Sequence, residues 1–392
     1  MKNKVKLLID LLIKHKRIIF IVILAVILIR PILTVIDLRE SLFYSGYEEK
    51  YSEFKELYSN SQFVKKEDPV IIRDEVFRSF AGGVFLKGLN PILITHDHPP
   101  LGNYFISLSI LIFDNSKTII VFSLITIGIA IFLISRLVMG SSIFALIPLG
   151  FLINEPLFLN KLRFAPLVEP IQLPFILFAF YFFIKALYDK KYIKWFILTS
   201  IMLGFVISIR FFVTGAVMTF CMGLYLLYEE RSISKKLLSF IFSLPLALVV
   251  LVMSYARTIM DGYSIVQVFG IQRYILEYHS SKFTLPFSFW QLILFNRWYT
   301  WWGDRAISSD PNWLILWPLS VLSTIAHGIM YLFKKIKLNK AEKFLFIWLV
   351  IYTLTLSTGY SSTNYFLSVL PFFYILSVAF FKKILIGVYE KI

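Results

Sequence analysis

Cysteine is almost absent. Cys221 is the only one in 392 residues. It lies in an apolar run, so no intrachain disulfide can form. Charge is scarce too: Asp, Glu, Lys and Arg make up 16% of the chain. Carboxylates are the scarcer kind, 24 acidic residues against 40 basic ones. No internal repeat, soluble domain or low-complexity linker interrupts the sequence. These absences exclude a disulfide-stapled scaffold, a disordered acidic chain and a large soluble domain. The formal net charge of +16 is not the footprint of a nucleic-acid binder. The Lys and Arg residues sit in short segments between apolar runs, as the positive-inside rule requires.

What is present is apolar. The chain is 58% hydrophobic, with a mean hydropathy of +0.75, whereas soluble domains are about 45–50% apolar. A bilayer takes roughly 20 apolar residues to cross. The composition therefore predicts an all-α polytopic membrane protein with about 10 transmembrane helices. Spans are expected near 18–36, 118–136, 142–155, 168–187, 195–210, 212–228, 237–256, 312–333, 344–359 and 364–381. Residues 1–17 are basic and cytoplasmic; without a small-residue cleavage site, the first span reads as an uncleaved anchor. Segments 37–117 and 257–311 read as long extracytoplasmic loops of one transmembrane domain covering 1–392. Both termini are expected in the cytoplasm of a cell carrying this multi-pass protein in its plasma membrane.

The stretch from Ile71 to Phe105 organises the rest. After Asp74-Glu75, Val76, Phe77, Phe80 and Val84 recur at helical spacing, and Gly88 and Pro91 stop the helix. Pro99-Pro100 starts a second helix, striped by Leu101, Tyr104, Phe105, Leu108, Leu111 and Ile112. Both helices are expected to lie on the outer surface. If 101–113 were a full span, every later Lys cluster would change sides.

Ionisable groups are expensive at a membrane and are functional candidates. In this topology Asp74, Glu75, Asp97, His98, Arg163, Glu169, Arg210 and His279 all fall at the outer face. Asp74 suits a general base, and equally a helix cap. Asp97, His98 and His279 could hold Zn, Mn or Mg, or could form a polar interfacial loop. Arg163 and Arg210 suit a phosphate, or snorkelling to the interface. Glu169 reads as a further acid or as the start of a span. Trp290, Trp298, Tyr299, Trp301 and Trp302 read as an interfacial aromatic belt rather than a sugar platform.

At these residues the chain resembles the GT-C superfamily of membrane glycosyltransferases. The nearest likeness is to the protein O-mannosyltransferases and the lipid A aminoarabinose transferases. Asp74-Glu75 matches the acidic pair that opens their first outer loop. Asp97-His98-Pro99-Pro100-Leu101-Gly102 matches the element that follows about twenty residues later. Arg163 with Glu169-Pro170, Tyr278-His279 before Pro286-Phe287-Ser288-Phe289-Trp290, and Asn364-Tyr365-Phe366-Leu367 before Leu370-Pro371 continue the order. The likeness covers about residues 70–371. The chain departs from the pattern by an insertion of about thirty residues before Asp74, by Asn103 where the motif has Lys, and by lacking a large soluble domain.

The resemblance implies a GT-C-like bundle and inverting transfer of a hexosyl or pentosyl group. The donor would be a polyprenyl-phosphate sugar and the acceptor a hydroxyl of a protein, lipid or glycan. It implies Asp74 as base with Glu75 beside it, and Asp97 with His279 as holders of a divalent metal. His98, Arg163 and Arg210 would bind the donor phosphate, with Glu169 as another site acid. The residues by themselves leave open a flippase or transporter of lipid-linked sugars, or a non-catalytic assembly partner. Transporters usually place polar groups near the bilayer midplane. Here they gather in outer loops.

Overall fold

A computed structural model describes residues 15–280, 285–300, 306–359 and 362–391. Residues 1–14 of the expected cytoplasmic N-terminus, and Trp301 and Trp302, lie outside the described residues. The contacts group into two compact units. One comprises 1–34, 128–159 and 284–392; the other comprises 35–127 and 160–283.

The chain is helical nearly throughout. In order come α1 (Lys16–Asp37), α2 (Arg39–Phe43), α3 (Tyr47–Ser59), α4 (Asp74–Leu86) and α5 (Leu101–Phe113). Then follow α6 (Thr118–Met139), α7 (Ser142–Ile153), α8 (Pro156–Arg163), α9 (Val168–Tyr188), α10 (Tyr192–Ile209) and α11 (Val213–Glu230). Next are α12 (Lys235–Ser243), α13 (Pro245–Ser254), α14 (Ala256–Met260), α15 (Ile265–Ser280) and α16 (Ser288–Phe295). A two-residue hairpin pairs Trp298 with Ser308 and Tyr299 with Ile307. The chain ends with α17 (Leu316–Leu332), α18 (Lys340–Thr358), α19 (Thr363–Phe366) and α20 (Leu370–Lys391).

Seven helices among the described residues are long and apolar enough to cross a membrane, or eight if one bent pair counts as a span. The chain is a multi-pass membrane protein. The expected spans at 212–228 and 312–333 form helices α11 and α17, but neither is among these seven. The expected span at 237–256 is one of the seven, Lys235–Ser254, with a break at Leu244 before Pro245, which lacks an N–H. The segment 154–166, expected as a connecting loop, instead contains α8, bent 53° from α7. The last span starts at Leu370, after a separate turn of helix at Thr363–Phe366, not at 364. Helix α1 buries none of its side chains, as a lipid-facing span can.

Both expected surface helices of the first loop form, with the expected starts. The inserted segment before Asp74 is also helical: α3 packs on α4 through Tyr51, Phe54 and Tyr58 against Phe80. The Tyr58 and Phe80 rings stack with centroids 4.4 Å apart. Gly82 and Gly83 allow two neighbours onto α4 at once. A Cβ on Gly82 would strike Ile106 of α5, and one on Gly83 would strike Tyr47 of α3. Bare backbone at both positions is what lets α3 and α5 close on α4.

Candidate active site

The site is built from side chains of the second unit. It begins at the N-terminus of α4. Arg73 is the extended cap residue and makes no side-chain cap bond, so Asp74 stands at the first helical position. The cap role open to Asp74 in the sequence is therefore not the one it fills. Asp74 and Glu75 place negative charge on the first turn, which the helix dipole favours.

Residues four apart share a helix face. Asp74 and Arg78 share one face of α4; Glu75 and Ser79 share another. The first face meets the Asp97 loop. Arg78 is 4% exposed. Its Nη2 stands 3.5 Å from Oδ2 of Asp97 and 3.2 Å from Nδ1 of His98. Nδ1 of His98 lies 2.6 Å from the same carboxylate oxygen. One ring nitrogen cannot donate to Asp97 and accept from Arg78 together. The shorter contact places the proton on Nδ1, donating to Asp97, and the guanidinium then pairs with the carboxylate.

Charge follows from this arrangement. Burial by itself would raise the Asp97 pKa, but His98 and the Arg78 cation outweigh it and hold the carboxyl below its usual range. Burial pushes the His98 pKa below the usual imidazole range; Asp97 opposes this, and Arg78 and Arg210 reinforce it. His98 is therefore neutral at pH 7, with Nε2 as its acceptor nitrogen.

His279 comes from the last turn of α15. Its Nε2 lies 3.0 Å from the backbone oxygen of Asp97. A carbonyl only accepts, so Nε2 carries the proton. The His98 and His279 rings meet edge to face with centroids 5.3 Å apart. Tyr278, the preceding residue, has its phenol pKa raised by burial first and then by Asp97, Tyr274 and Asp74. Asp74 thus belongs to the same neighbourhood.

A second pair lies at the top of α9. Nη2 of Arg210 is 3.3 Å from Oε1 of Glu169, with side chains 14% and 11% exposed. His98 feels Arg210 electrostatically, and Glu169 feels Arg210, Lys161 and His98. The structure therefore brings together Asp74, Asp97, His98, Glu169, Arg210 and His279. It does not bring in Arg163, which is exposed at the end of α8. Lys161, two residues earlier, is 6% exposed and takes the inward position. Glu75 belongs to the other face of α4. Among the described residues, Arg78 and Lys161 are the site cations that the sequence reading missed. The signal for Arg78 was present: it is a lone cation four residues after Asp74 in an otherwise apolar helix.

The pair expected to hold a metal, Asp97 and His279, is adjacent. Nε2 of His279 is spent on a peptide oxygen, and Oδ2 of Asp97 is shared by His98 and Arg78. Among the described residues no group of three or more His, Cys, Asp or Glu is placed for a metal.

The second unit also holds an apolar cavity of about 600 Å³. Leu203, Ile207, Phe212, Phe220, Leu248 and Phe269 are among its walls. Phe212 follows Arg210 by two residues, so the cavity adjoins the segment that carries the Arg210–Glu169 pair.

This fold is the GT-C type of helical membrane fold. The crystal structure of ArnT from Cupriavidus metallidurans bound to undecaprenyl phosphate superposes with a TM-score of 0.59 at 14% identity. That match covers 87% of this chain and 62% of the ArnT chain. Residues 97–255 match the family described as dolichyl-phosphate-mannose-protein mannosyltransferase, which bears out the resemblance read from the motifs. The archaeal oligosaccharyltransferase AglB from Archaeoglobus fulgidus, in complex with an inhibitory peptide and a dolichol-phosphate, gives a TM-score of 0.46 at 12% identity. It is covered over 50% of its length by 84% of this chain. No curated protein matches the chain in sequence.

Proposed function

We propose that the chain is an inverting glycosyltransferase that takes its sugar from a polyprenyl-phosphate donor at the extracytoplasmic face. One observation carries the reading. Nη1 of the buried Arg78 has no hydrogen-bond partner, and it stands in a cluster with Asp97 and His98, on the helix face of Asp74. A buried guanidinium nitrogen without a partner is costly. A phosphate oxygen would satisfy it, and a second guanidinium, Arg210, lies within electrostatic reach of His98. The apolar cavity beside the Arg210 segment suits a polyprenyl tail.

In this mechanism Asp74 accepts the proton of the acceptor hydroxyl. The acceptor oxygen bonds to the anomeric carbon as the carbon–oxygen bond to phosphate breaks on the opposite side. Configuration inverts, and polyprenyl phosphate leaves with the bond's electron pair. Arg78 and Arg210 stabilise the charge that develops on it. Glu169 holds Arg210, and Asp97 holds Arg78, so both forks are oriented before the donor arrives. His279 fixes the Asp97 loop through its carbonyl. No step is assigned to a metal.

The ArnT match and the mannosyltransferase match support this reaction class. The positive-inside pattern of Lys190-Lys191, Lys235-Lys236, Lys334-Lys335 and Lys382-Lys383 supports the orientation. The test uses the purified chain and its Asp74→Asn variant, incubated with a set of polyprenyl-phosphate sugars and a membrane extract. Transfer by the parent and loss of at least a hundredfold in the variant is the expected result. Near-normal turnover by Asp74→Asn refutes the base assignment. Donor movement across vesicles without transfer would make the chain a transporter instead.

A further inference from the structure

The first turns of α5 stand between the two charged groups of the candidate site, all within the second unit. Gly102 packs beside the Arg210–Glu169 pair. A Cβ there would lie 3.0 Å from Val168 and 3.2 Å from Ile209, the residues that precede Glu169 and Arg210. Another face of α5 meets α4. Oγ of Ser107 lies 2.7 Å from the Gly82 carbonyl oxygen and 2.9 Å from that of Asn103. Asn103 is one turn before Ser107, and Arg78 is one turn before Gly82. Going back along the chain from Asn103 leads through Pro100 to His98, whose ring meets Arg78. Asn103 therefore sits between the Ser107–Gly82 contact and the His98–Arg78 contact. Asp74, Arg78 and Gly82 follow one another at steps of four, so this is the side of α4 that carries the base.

The side chain of Asn103 has no partner there. It is 1% exposed, and neither Nδ2 nor Oδ1 makes a hydrogen bond. Its backbone is satisfied: the amide donates to the Pro100 carbonyl at 3.0 Å, and the carbonyl accepts from Ser107. A buried carboxamide with both ends unpaired is costly unless a ligand completes it. Nη1 of Arg78, on the facing helix, is unpaired in the same way.

We propose that Asn103 binds hydroxyl groups of the donor sugar, and that this sugar is uncharged. The inference rests on the glycosyltransferase reading and names the class of sugar it transfers. The two unpaired groups ask for different partners. Arg78 can only donate, which suits a phosphate oxygen. The carboxamide donates from Nδ2 and accepts at Oδ1. Two neighbouring sugar hydroxyls, one accepting and one donating, satisfy both ends. An ammonium only donates, so it would leave Nδ2 unpaired and would stand near the Arg78 cation. A carboxylate only accepts, so it would leave Oδ1 unpaired. The family pattern has Lys at this position. A lysine offers three donors and no acceptor, so the departure to Asn103 supplies the one acceptor that a hydroxyl hydrogen needs.

The test uses the full chain in detergent with a membrane extract as acceptor. Polyprenyl-phosphate donors carrying a neutral hexose, an amino sugar and a uronic acid are compared. The neutral donor should have a kcat/KM about tenfold or more above the other two. Asn103→Leu removes both polar ends at similar volume and should lower kcat/KM for the neutral donor by about thirtyfold or more. Unfolding midpoints are read in parallel. Bare polyprenyl phosphate should raise them equally in parent and variant, and the neutral sugar should add a further rise in the parent alone. Asn103→Ala takes the place of Asn103→Leu if the latter does not fold. Preference for a charged sugar, or equal turnover and equal midpoint shifts in parent and variant, overturns the proposal. If the parent transfers no sugar, the glycosyltransferase reading fails, and the midpoints judge Asn103 by themselves. A sugar-dependent rise that the variant loses supports the site; no such rise in the parent overturns it.

Discussion

The imidazole of His279 donates from Nε2 to the backbone oxygen of Asp97 at 3.0 Å, across 182 positions of sequence. This bond fixes the carbonyl of the residue whose carboxylate holds Arg78 and His98. His279→Ala should therefore lower kcat at least tenfold with a smaller change in donor KM. A lost neutral hydrogen bond costs about 1 kcal/mol, so the variant should remain folded. Steady-state kinetics together with a thermal unfolding curve checks both parts.

Arg78 gives a sharper prediction, because its fork and its charge can be separated. Arg78→Lys keeps the cation and loses the planar fork. Donor KM should rise at least tenfold, and the Asp97 contact should weaken. Asp97→Ala is expected to cost more stability, on the order of 3 kcal/mol, since it leaves a buried guanidinium unpaired. Equal unfolding midpoints for Asp97→Ala and the parent would contradict the ion pair.

Acid should destabilise the protein in two steps. The folded pKa of His98 lies below its ordinary value, so its contribution is present above about pH 6.5 and declines as pH falls below it. The folded pKa of Asp97 is also depressed, so its contribution is present above about pH 4 and is lost on further acidification. Unfolding midpoints measured from pH 7.5 down to 3 should fall in both windows. His98→Gln should flatten that upper step and leave the lower one.

Chelation should leave transfer intact. The phosphate-stabilising groups assigned here are Arg78 and Arg210, and the Asp97–His279 pair is bonded to itself through a peptide oxygen. Turnover after extensive dialysis against EDTA should stay within about twofold of the untreated enzyme, less than 1 kcal/mol in barrier. A loss restored by Zn, Mn or Mg would show that the loop rearranges to ligate an ion.

Gly83 tests the inserted segment. A side chain there collides with Tyr47, whose hydroxyl donates to the Ser79 carbonyl at 2.7 Å. Gly83→Val should cost about 1–3 kcal/mol by overpacking and should displace α3. A thermal unfolding curve of the variant against the parent reads that cost.

Much of the fold is written along the chain. Apolar runs, the Lys clusters between them and the helix starts at Asp74 and Leu101 follow from local chemistry and periodicity. The order of Asp74-Glu75, Asp97-His98-Pro99 and Tyr278-His279 also pointed to the superfamily. These features need only neighbours within a turn or two, so sequence determines them.

Which side chains meet was decided by tertiary structure. Arg163 was the expected cation and Lys161 was passed over, but two positions on a helix face nearly opposite ways, and the packing of α8 buries the lysine. Asp74 and Glu75 are adjacent in sequence yet meet different surroundings, the Asp97 loop and a polar cavity, because about 100° of helix rotation separates them. Arg78 became a site residue only when the Asp97 loop closed over it. The donor-side cluster joins positions from Asp74 to His279, and no local pattern states that closure. It depends on α4, α5, α9 and α15 packing so that each buried charge finds a partner in a medium where unpaired charge is costly.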